Sequence, residues 1–409
     1  MKTKKLMLTI ALFAMSFVAG AQALNVSSAF QDMRKNYLNK AKAEIDAACL
    51  HESTKDDPKT WCYKALIYAR IGGEAANPKS KFKNLAPDWA EQAYTAALEC
   101  KRLDTKNEFA TQINEVFSFV GNDFYNKSRK SYEDKNYVEA LQHAEKSIEM
   151  FNNAGQGQYA ADAMYMAGLS AYASHDTVNL KKYFNLLIRK RTDKEFVYKT
   201  LFDYSKAENN KEQAMKIANS YVKNVKNSYN AQLLLAQAYF LNDNVDKGNE
   251  SLNAALEMTK DSANLYPLVL VLAGGYLDDA GRVDEAQARY NESLTLKPSQ
   301  FEANFGLGKL YFNRGVDKNN LANKIDPFSD ESGMYDKLSG ESKEYFRQSI
   351  SYLEKAVSFI DAMTDESKKS QQRVNLINAL IALETAYARV DMGTESQAAK
   401  ARRESLMQQ

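Results

Sequence analysis

The residues Leu270-Val-Leu-Ala-Gly-Gly-Tyr-Leu277, followed by Ala286-Gln-Ala-Arg-Tyr-Asn-Glu-Ser-Leu294, decide the fold of this chain. In both stretches the apolar residues recur at the spacing of one face of an α-helix. Gly274 and Ala286 stand where these two faces meet, and only a small residue lets two helices come so close. With Pro298 after the second stretch, the pattern predicts two antiparallel helices packed as a hairpin.

The same small and aromatic positions return at a regular step along the chain. The step is about 34 residues forward and slightly more backward, as expected for helical-hairpin repeats. The matching residues are Gly308 with Tyr311, Ala236 with Tyr239, Gly248 with Leu252, Tyr198 with Ala214, and Gly168 with Phe184. Four segments in one register indicate a repeat rather than isolated helices.

This spacing resembles the tetratricopeptide repeat (TPR), in which pairs of helices stack into a solenoid. The resemblance implies an all-α fold, a TPR-type helical-hairpin solenoid wound as a right-handed superhelix, with about eight helix pairs. The solenoid is expected over residues 22–409, with regular repeats from about 160 to 315 and an insertion at 316–343. A capping hairpin is expected at about 371–409, because its charged outer face suits the end of a solenoid.

Further segments give a narrower resemblance. Tyr311-Phe-Asn-Arg-Gly-Val316 with Tyr352-Leu-Glu-Lys-Ala356, and Asp57-Pro-Lys-Thr-Trp-Cys-Tyr63, are similar to parts of exported TPR proteins of Bacteroidetes. These motifs are structural, so the resemblance implies a fold and export but no activity. Within the insertion, the stretch Asp326-Pro-Phe-Ser-Asp-Glu-Ser-Gly333 lacks the spacing of a calcium-binding loop and is expected to be a flexible loop, on which Phe328 and Tyr335 suggest a contact arm.

The N-terminus has the pattern of a secretory signal peptide. Basic residues within 1–5 precede an apolar stretch over 6–18 and a small-x-small end. A signal peptide over 1–21 is therefore expected, with cleavage after Ala21 or, as the second choice, after Ala23. The apolar stretch is shorter than the ~20 residues that cross a bilayer, so no membrane span is expected after cleavage. The mature protein is expected in the periplasm or on the outer envelope.

The charge balance argues against nucleic acid as a partner. The formal net charge of the 409 residues is +2, and it becomes −1 when Lys2, Lys4 and Lys5 leave with the signal peptide. The chain also contains no cluster of Lys and Arg. It therefore lacks the electrostatic footprint of a nucleic-acid-binding protein.

The residues that carry catalysis or hold metals do not form a known pattern. The histidines His51, His143 and His175 lie outside metalloprotease, zinc-finger and triad contexts. The stretch Gly306-Leu-Gly-Lys309 lacks the spacing of a phosphate-binding loop. We therefore expect a protein that is not an enzyme, with no catalytic residue, no metal and no cofactor.

Cys49, Cys62 and Cys100 all fall in the first quarter of the chain. Folding neighbouring helices into hairpins places Cys62 level with Cys100, and Cys49 near Cys62. Because exported proteins meet oxidising conditions, a Cys62–Cys100 or a Cys49–Cys62 disulfide is expected, which leaves one thiol over. The alternatives are buried free thiols and a zinc site that uses His51 as the fourth ligand.

The TPR resemblance also implies a partner-binding groove, lined by two fixed positions of each first helix. Aromatic residues dominate both ends of this set, and exposed aromatics are favoured anchors for peptides or partner helices. The alternative role of these residues is packing between adjacent repeats. Asp203, four residues after Lys199, replaces the asparagine of the carboxylate clamp in chaperone-binding TPR domains and disfavours that clamp. The candidates are Tyr165, Tyr172, Lys199, Lys206, Phe240, Phe305 and Phe312, beside Leu233, Val271 and Asp278.

Two functions fit these observations. The favoured one is a non-catalytic protein–protein interaction scaffold of the cell envelope, which binds peptides or helices of unidentified protein partners in its groove. The alternative is a glycan- or nutrient-capture protein, because sugar-binding lipoproteins of the same bacteria are also built around TPR helices. Those proteins carry a lipobox cysteine and long insertions, whereas this chain lacks that cysteine and has one sizeable insertion.

Overall fold

The computed structural model describes residues 25–408, so the expected signal peptide over 1–21 lies outside the described residues. Every regular element within 25–408 is helical, which confirms the all-α fold. None of these helices combines the length and the apolar character needed to cross a membrane. The chain divides after Thr192 into two compact units.

The first unit consists of helices that pack as consecutive hairpins. A helical stretch over 25–34 (α1) is followed by α2, so the N-terminal segment is a helix pair rather than one long helix. The hairpins are α1/α2, α3/α4, α5/α6 and α7/α8. The helices are α2 (Leu38–Leu50), α3 (Pro58–Ala75), α4 (Trp89–Leu103), α5 (Ala110–Glu133), α6 (Tyr137–Asn153), α7 (Gly157–Ala173) and α8 (Thr177–Arg189).

The second unit repeats the same plan with five hairpins, α9/α10, α11/α12, α13/α14, α15/α16 and α18/α19, with the short α17 between the last two. Together with the four of the first unit, the described residues form nine hairpins, one more than the about eight expected. The helices are α9 (Glu195–Ala207), α10 (Lys211–Asn224), α11 (Tyr229–Leu241), α12 (Val245–Thr259), α13 (Leu265–Asp279), α14 (Val283–Leu296), α15 (Phe301–Ala322), α16 (Met334–Asp361), α17 (Glu366–Gln371), α18 (Arg373–Arg389) and α19 (Gly393–Gln408).

Small residues set the distance between the two helices of a hairpin, as the sequence predicts. A Cβ atom added to Gly168 on α7 would lie 2.1 Å from Cε1 of Phe184 on α8. A Cβ on Gly308 would lie 2.7 Å from the Leu353 side chain. Real carbon atoms do not approach so closely, so glycine at these positions permits the packing of a large side chain against the facing backbone.

Buried serines fasten several hairpins from inside. The Ser147 hydroxyl donates to the Gly121 carbonyl at 2.8 Å, which joins α6 to α5. The Ser349 hydroxyl donates in the same way to the Gly308 carbonyl at 2.7 Å, which joins α16 to α15. Both serines are fully buried, and each hydroxyl therefore finds its hydrogen-bond partner within the core.

The turns of the α7/α8 and α9/α10 hairpins share one construction. His175 and Asn209 adopt left-handed backbone conformations, with φ of 59° and 54°. The residues that follow, Asp176 and Asn210, cap the next helix by accepting a hydrogen bond from its backbone at 3.0 Å in both cases. His175 is thus a turn residue.

The insertion expected at 316–343 is helical at both ends and has a loop in its middle. Helix α15 continues through it to Ala322, and α16 begins at Met334, so only 323–333 is not helical. Ala322 is buried, Ser342 donates to the Gly315 carbonyl at 2.8 Å, and Lys318 pairs with Glu341 at 2.5 Å. The stretch 326–333, which the sequence predicts to be a loop, lies within this non-helical part. The helical arms on either side of it pack against each other as an extension of the α15/α16 hairpin.

Candidate partner-binding grooves

A groove of about 500 Å³ lies within the second unit, on the first helices of three successive hairpins, α9, α11 and α13. We call it the second-unit groove. Its lining residues are Glu195, Phe196, Lys199, Asp203, Tyr221, Asn230, Leu233, Leu234, Gln237, Leu272 and Tyr276. Its volume falls in the range of ordinary ligand sites, and its lining combines apolar and polar side chains as such sites do.

One face of α9 supplies the charges of this groove. Glu195, Lys199 and Asp203 follow one another at four-residue spacing, which places them on the same side of the helix. Glu195 accepts hydrogen bonds from the Ser228 hydroxyl and the Asn230 amide, both at 2.8 Å. Lys199 forms no hydrogen bond or ion pair with the described residues. Its ammonium group is therefore available to a ligand.

Asp203 lies in an unusual electrostatic setting. Burial by the surrounding groove raises the pKa of this carboxyl group, although the nearby Lys199 and Lys206 act to lower it. Burial also raises the pKa of the Tyr276 hydroxyl, with smaller contributions from Asp203 and Asp279. The side chain of Asp203 still reaches solvent. A carboxylate in this position would be stabilised by a hydrogen-bond donor or a cation of a bound partner.

The floor of the second-unit groove is apolar. Leu233 and Leu234 of α11 are buried, and Leu272 of α13 is half-buried beside them. Phe196 of α9 remains 37% exposed at the edge. An apolar side chain of a partner can therefore be buried on this floor, while the polar residues of α9 and α11 orient the backbone of the partner.

The structure separates the candidate groove residues predicted from the TPR resemblance. Lys199 and Leu233 line the second-unit groove. Lys206 lies one helical turn beyond it and reaches Asp279 at 3.7 Å. The others do not line this groove, and their role in partner binding stays a prediction. Tyr165 stacks on Phe184 at 6.2 Å between ring centroids, Phe305 on Phe301 at 5.5 Å, Phe312 packs edge-on against Phe346 at 5.4 Å, the Phe240 ring covers Gly248, and Tyr172 is 45% exposed.

A second groove, also of about 500 Å³, lies within the first unit on α1, α3 and α5, and the sequence did not predict it. We call it the first-unit groove. Because the repeats of the first unit match the TPR pattern only loosely, their groove positions could not be read from the register of the regular repeats. Its lining residues are Met33, Arg34, Asn36, Leu66, Ala69, Arg70, Gly73, Glu115, Val116 and Phe119.

The structure brings two of the three cysteines, Cys62 and Cys100, close together. Cys62 and Cys100 are fully buried, and the neighbouring Cys100 thiol together with burial raises the pKa of the Cys62 thiol. Burial raises the pKa of Cys49 to about 11. All three are free thiols in this structure. The choice between a Cys62–Cys100 disulfide and free thiols stays a prediction, and the same holds for Cys49–Cys62.

The described part of the chain contains no group of three or more His, Cys, Asp or Glu side chains that could hold a metal ion. The zinc alternative with His51 therefore has no structural support. Instead, the His51 ring nitrogen Nδ1 lies 2.9 Å from the Ser53 hydroxyl. His143 is half-buried against Phe124, and burial lowers its pKa.

A scan against known protein families and a search of curated proteins find no match. Solved structures match at low identity. A TPR repeats protein (BF2334) from Bacteroides fragilis is 17% identical, with 62% of this chain and 96% of that chain covered and a TM-score of 0.24. Yeast Tom70 is 12% identical, with 94% and 82% covered and a TM-score of 0.36. Human IFIT1, solved with m7Gppp-AAAA, is 12% identical, with 85% and 84% covered and a TM-score of 0.31.

These similarities concern the fold alone. The helical-hairpin repeat fold is established by the packed hairpins of the structure itself.

Proposed function

We propose that this protein is a non-catalytic scaffold of the cell envelope, which binds peptide or helical segments of protein partners in the second-unit groove. One observation carries the proposal: the groove joins an unpaired cation, Lys199, to a buried apolar floor on three successive first helices. A peptide needs both features, because apolar contacts supply affinity and polar contacts fix its direction and register.

The envelope location rests on the sequence alone. The signal pattern over 1–21 supports export, and the absence of a Lys/Arg cluster supports proteins rather than nucleic acid as partners. Among the residues described, no helix is suited to span a membrane.

A charge reversal in the groove tests the proposal. Tagged protein carrying Lys199→Glu is purified from its native cells and its co-purifying proteins are compared with those of the parent. Because Lys199 is exposed and unpaired, the variant is expected to keep its helical circular dichroism and to lose groove-bound partners.

Lys223→Glu is the matched control. Lys223 is an exposed lysine on α10 of the same unit, outside the second-unit groove. Lys223→Glu changes the charge by the same amount as Lys199→Glu. Partners that are lost by Lys199→Glu but kept by Lys223→Glu therefore bind in the second-unit groove. Identical partners in both variants would contradict the proposal.

A further inference from the structure

The first-unit groove has a different chemical character from the second-unit groove. Its apolar surface comes from three helices: Met33 of α1, Leu66 and Ala69 of α3, and Val116 and Phe119 of α5. Phe119 is 42% exposed, and its ring packs against the Trp89 ring, with 5.4 Å between the two ring centroids. Exposed aromatic rings held in place by packing are common anchors for partner side chains.

The polar rim of this groove is dominated by guanidinium groups. Arg34 projects from α1 and forms no hydrogen bond or ion pair with the described residues. Arg70 projects from α3 and contacts Glu74 through one nitrogen at 3.0 Å, which leaves most of its donors unused. Guanidinium groups bind carboxylates through paired hydrogen bonds, a geometry that strongly favours an acidic ligand.

The one acidic residue in the lining is Glu115 on α5. It forms no hydrogen bond or ion pair with the described residues, so neither arginine is neutralised by it. With Glu74 counted beside Arg70, the rim has two guanidinium groups and two carboxylates, but Arg34 and most of the Arg70 donors are not used by either carboxylate. These unused guanidinium donors favour a ligand with carboxylates beside an apolar side chain.

We propose that the first-unit groove is a second docking site, which takes a segment of a protein partner in which an apolar side chain is flanked by carboxylates. The apolar side chain occupies the floor beside Phe119, and the carboxylates pair with Arg34 and Arg70. This inference rests on the proposed scaffold function, and it assigns the partner chemistry of a site that the regular repeats do not reveal.

Gly73 offers a direct way to close the groove. A Cβ atom added there would meet no atom within 4 Å, so a side chain at this position enters open space. Gly73→Phe is therefore expected to fill the groove without disturbing the core. Gly340→Phe is the matched control, because Gly340 is an exposed helical glycine on α16 with equally open surroundings.

The probe is a short fluorescein-labelled peptide that alternates glutamate with leucine, and its twin carries lysine in place of each glutamate. Fluorescence polarisation measures binding of each peptide to the full chain. We expect the glutamate peptide to bind, with affinity falling as salt rises. Gly73→Phe and Arg34→Ala should each weaken it by about tenfold or more, and Gly340→Phe should leave it unchanged. Glu115→Gln should strengthen it, because the opposing charge is removed.

Binding of the lysine twin at equal or greater affinity would overturn the inference, and so would unchanged binding by Gly73→Phe with native helicity. An absence of binding by both peptides would also overturn it. These outcomes are separate from those of the proposed function. If Lys199→Glu loses native partners while neither peptide binds, the scaffold stands and the first-unit site fails. If the glutamate peptide binds while Lys199→Glu keeps every partner, the first-unit site stands and the proposed binding in the second-unit groove fails.

Discussion

Gly168 shows how one missing side chain fixes the distance between two helices. The Phe184 ring lies where a Cβ atom of residue 168 would stand, and this ring is fully buried. Gly168→Ala should therefore force the two helices apart or the ring out of its position. We expect the free energy of unfolding to fall by about 1–3 kcal/mol, measured by urea denaturation.

Gly340→Ala is the control for this prediction. Its new methyl group meets nothing within 4 Å, and alanine favours a helix over glycine by roughly 0.5–1 kcal/mol. This variant should be as stable as the parent or more so. Equal effects of the two substitutions would show that helix propensity, rather than close packing, determines the outcome.

Cys62 and Cys100 are neighbours in one buried core cluster, which makes them the favoured pair for a disulfide. In an oxidising compartment, a protein disulfide oxidant would take two electrons and two protons from this pair and leave one disulfide bond. We expect protein from its native compartment, unfolded without reductant, to be alkylated at Cys49 alone. Mass spectrometry counts the added groups, and alkylation at all three cysteines would contradict the expected disulfide.

At the scale of the helical element, the extension of α15 and α16 ends in a loop with little packing. Phe328 in this loop is 98% exposed, so it contributes nothing to the core. Replacing 323–333 by a short Gly-Ser linker should shift the midpoint of thermal unfolding by no more than about 2 °C, followed by circular dichroism. The same variant tests the contact-arm hypothesis, because loss of a partner without loss of stability would assign the loop to binding.

Phe346→Ala provides the comparison for the loop variant. Phe346 is buried, and its ring lies 3.1 Å from where a Cβ of Gly315 would stand. Its truncation should cost about 3–5 kcal/mol, as for other buried aromatic residues. A comparable loss on replacing 323–333 would show that the loop packs against the protein.

Helical elements were predictable where small residues recur in register. Gly168, Gly274 and Gly308 marked the packed hairpins because steric exclusion leaves only small residues at such contacts. The helices within 316–343 were not predictable, since they match no neighbouring repeat and are stabilised by contacts such as Ser342 with Gly315. The first-unit groove was also missed, because Arg34 and Glu115 come together only through the folding of separate hairpins.

At the scale of the whole molecule, tyrosine–carboxylate hydrogen bonds recur between helices. Each joins residues from different helices, and burial together with the bond to the carboxylate raises the pKa of the tyrosine. The pairs are Tyr68–Asp46, Tyr94–Glu149, Tyr183–Glu145, Tyr266–Glu292 and Tyr387–Glu354.

Because of these hydrogen bonds, we expect the folded protein to lose stability at alkaline pH. In the unfolded chain tyrosines lose their protons near pH 10, whereas the bonded tyrosines of the folded protein keep theirs to higher pH. Above about pH 10 the unfolded state therefore holds fewer protons, and the free energy of unfolding falls as pH rises. Urea denaturation at pH 8 and at increasing pH beyond 10 should show this fall. Tyr387→Phe should reduce its slope, and a pH-independent stability would contradict the prediction.

Within each unit, the helices that pack together are close neighbours in chain order. Structures built from such local contacts have low contact order, and they fold quickly because little loop-closure entropy is lost before a contact forms. Each unit can also start folding at one hairpin and extend from it. During synthesis the N-terminal residues leave the ribosome first. Each hairpin can therefore fold and pack on the preceding one as soon as it has emerged, before the rest of the chain has been made.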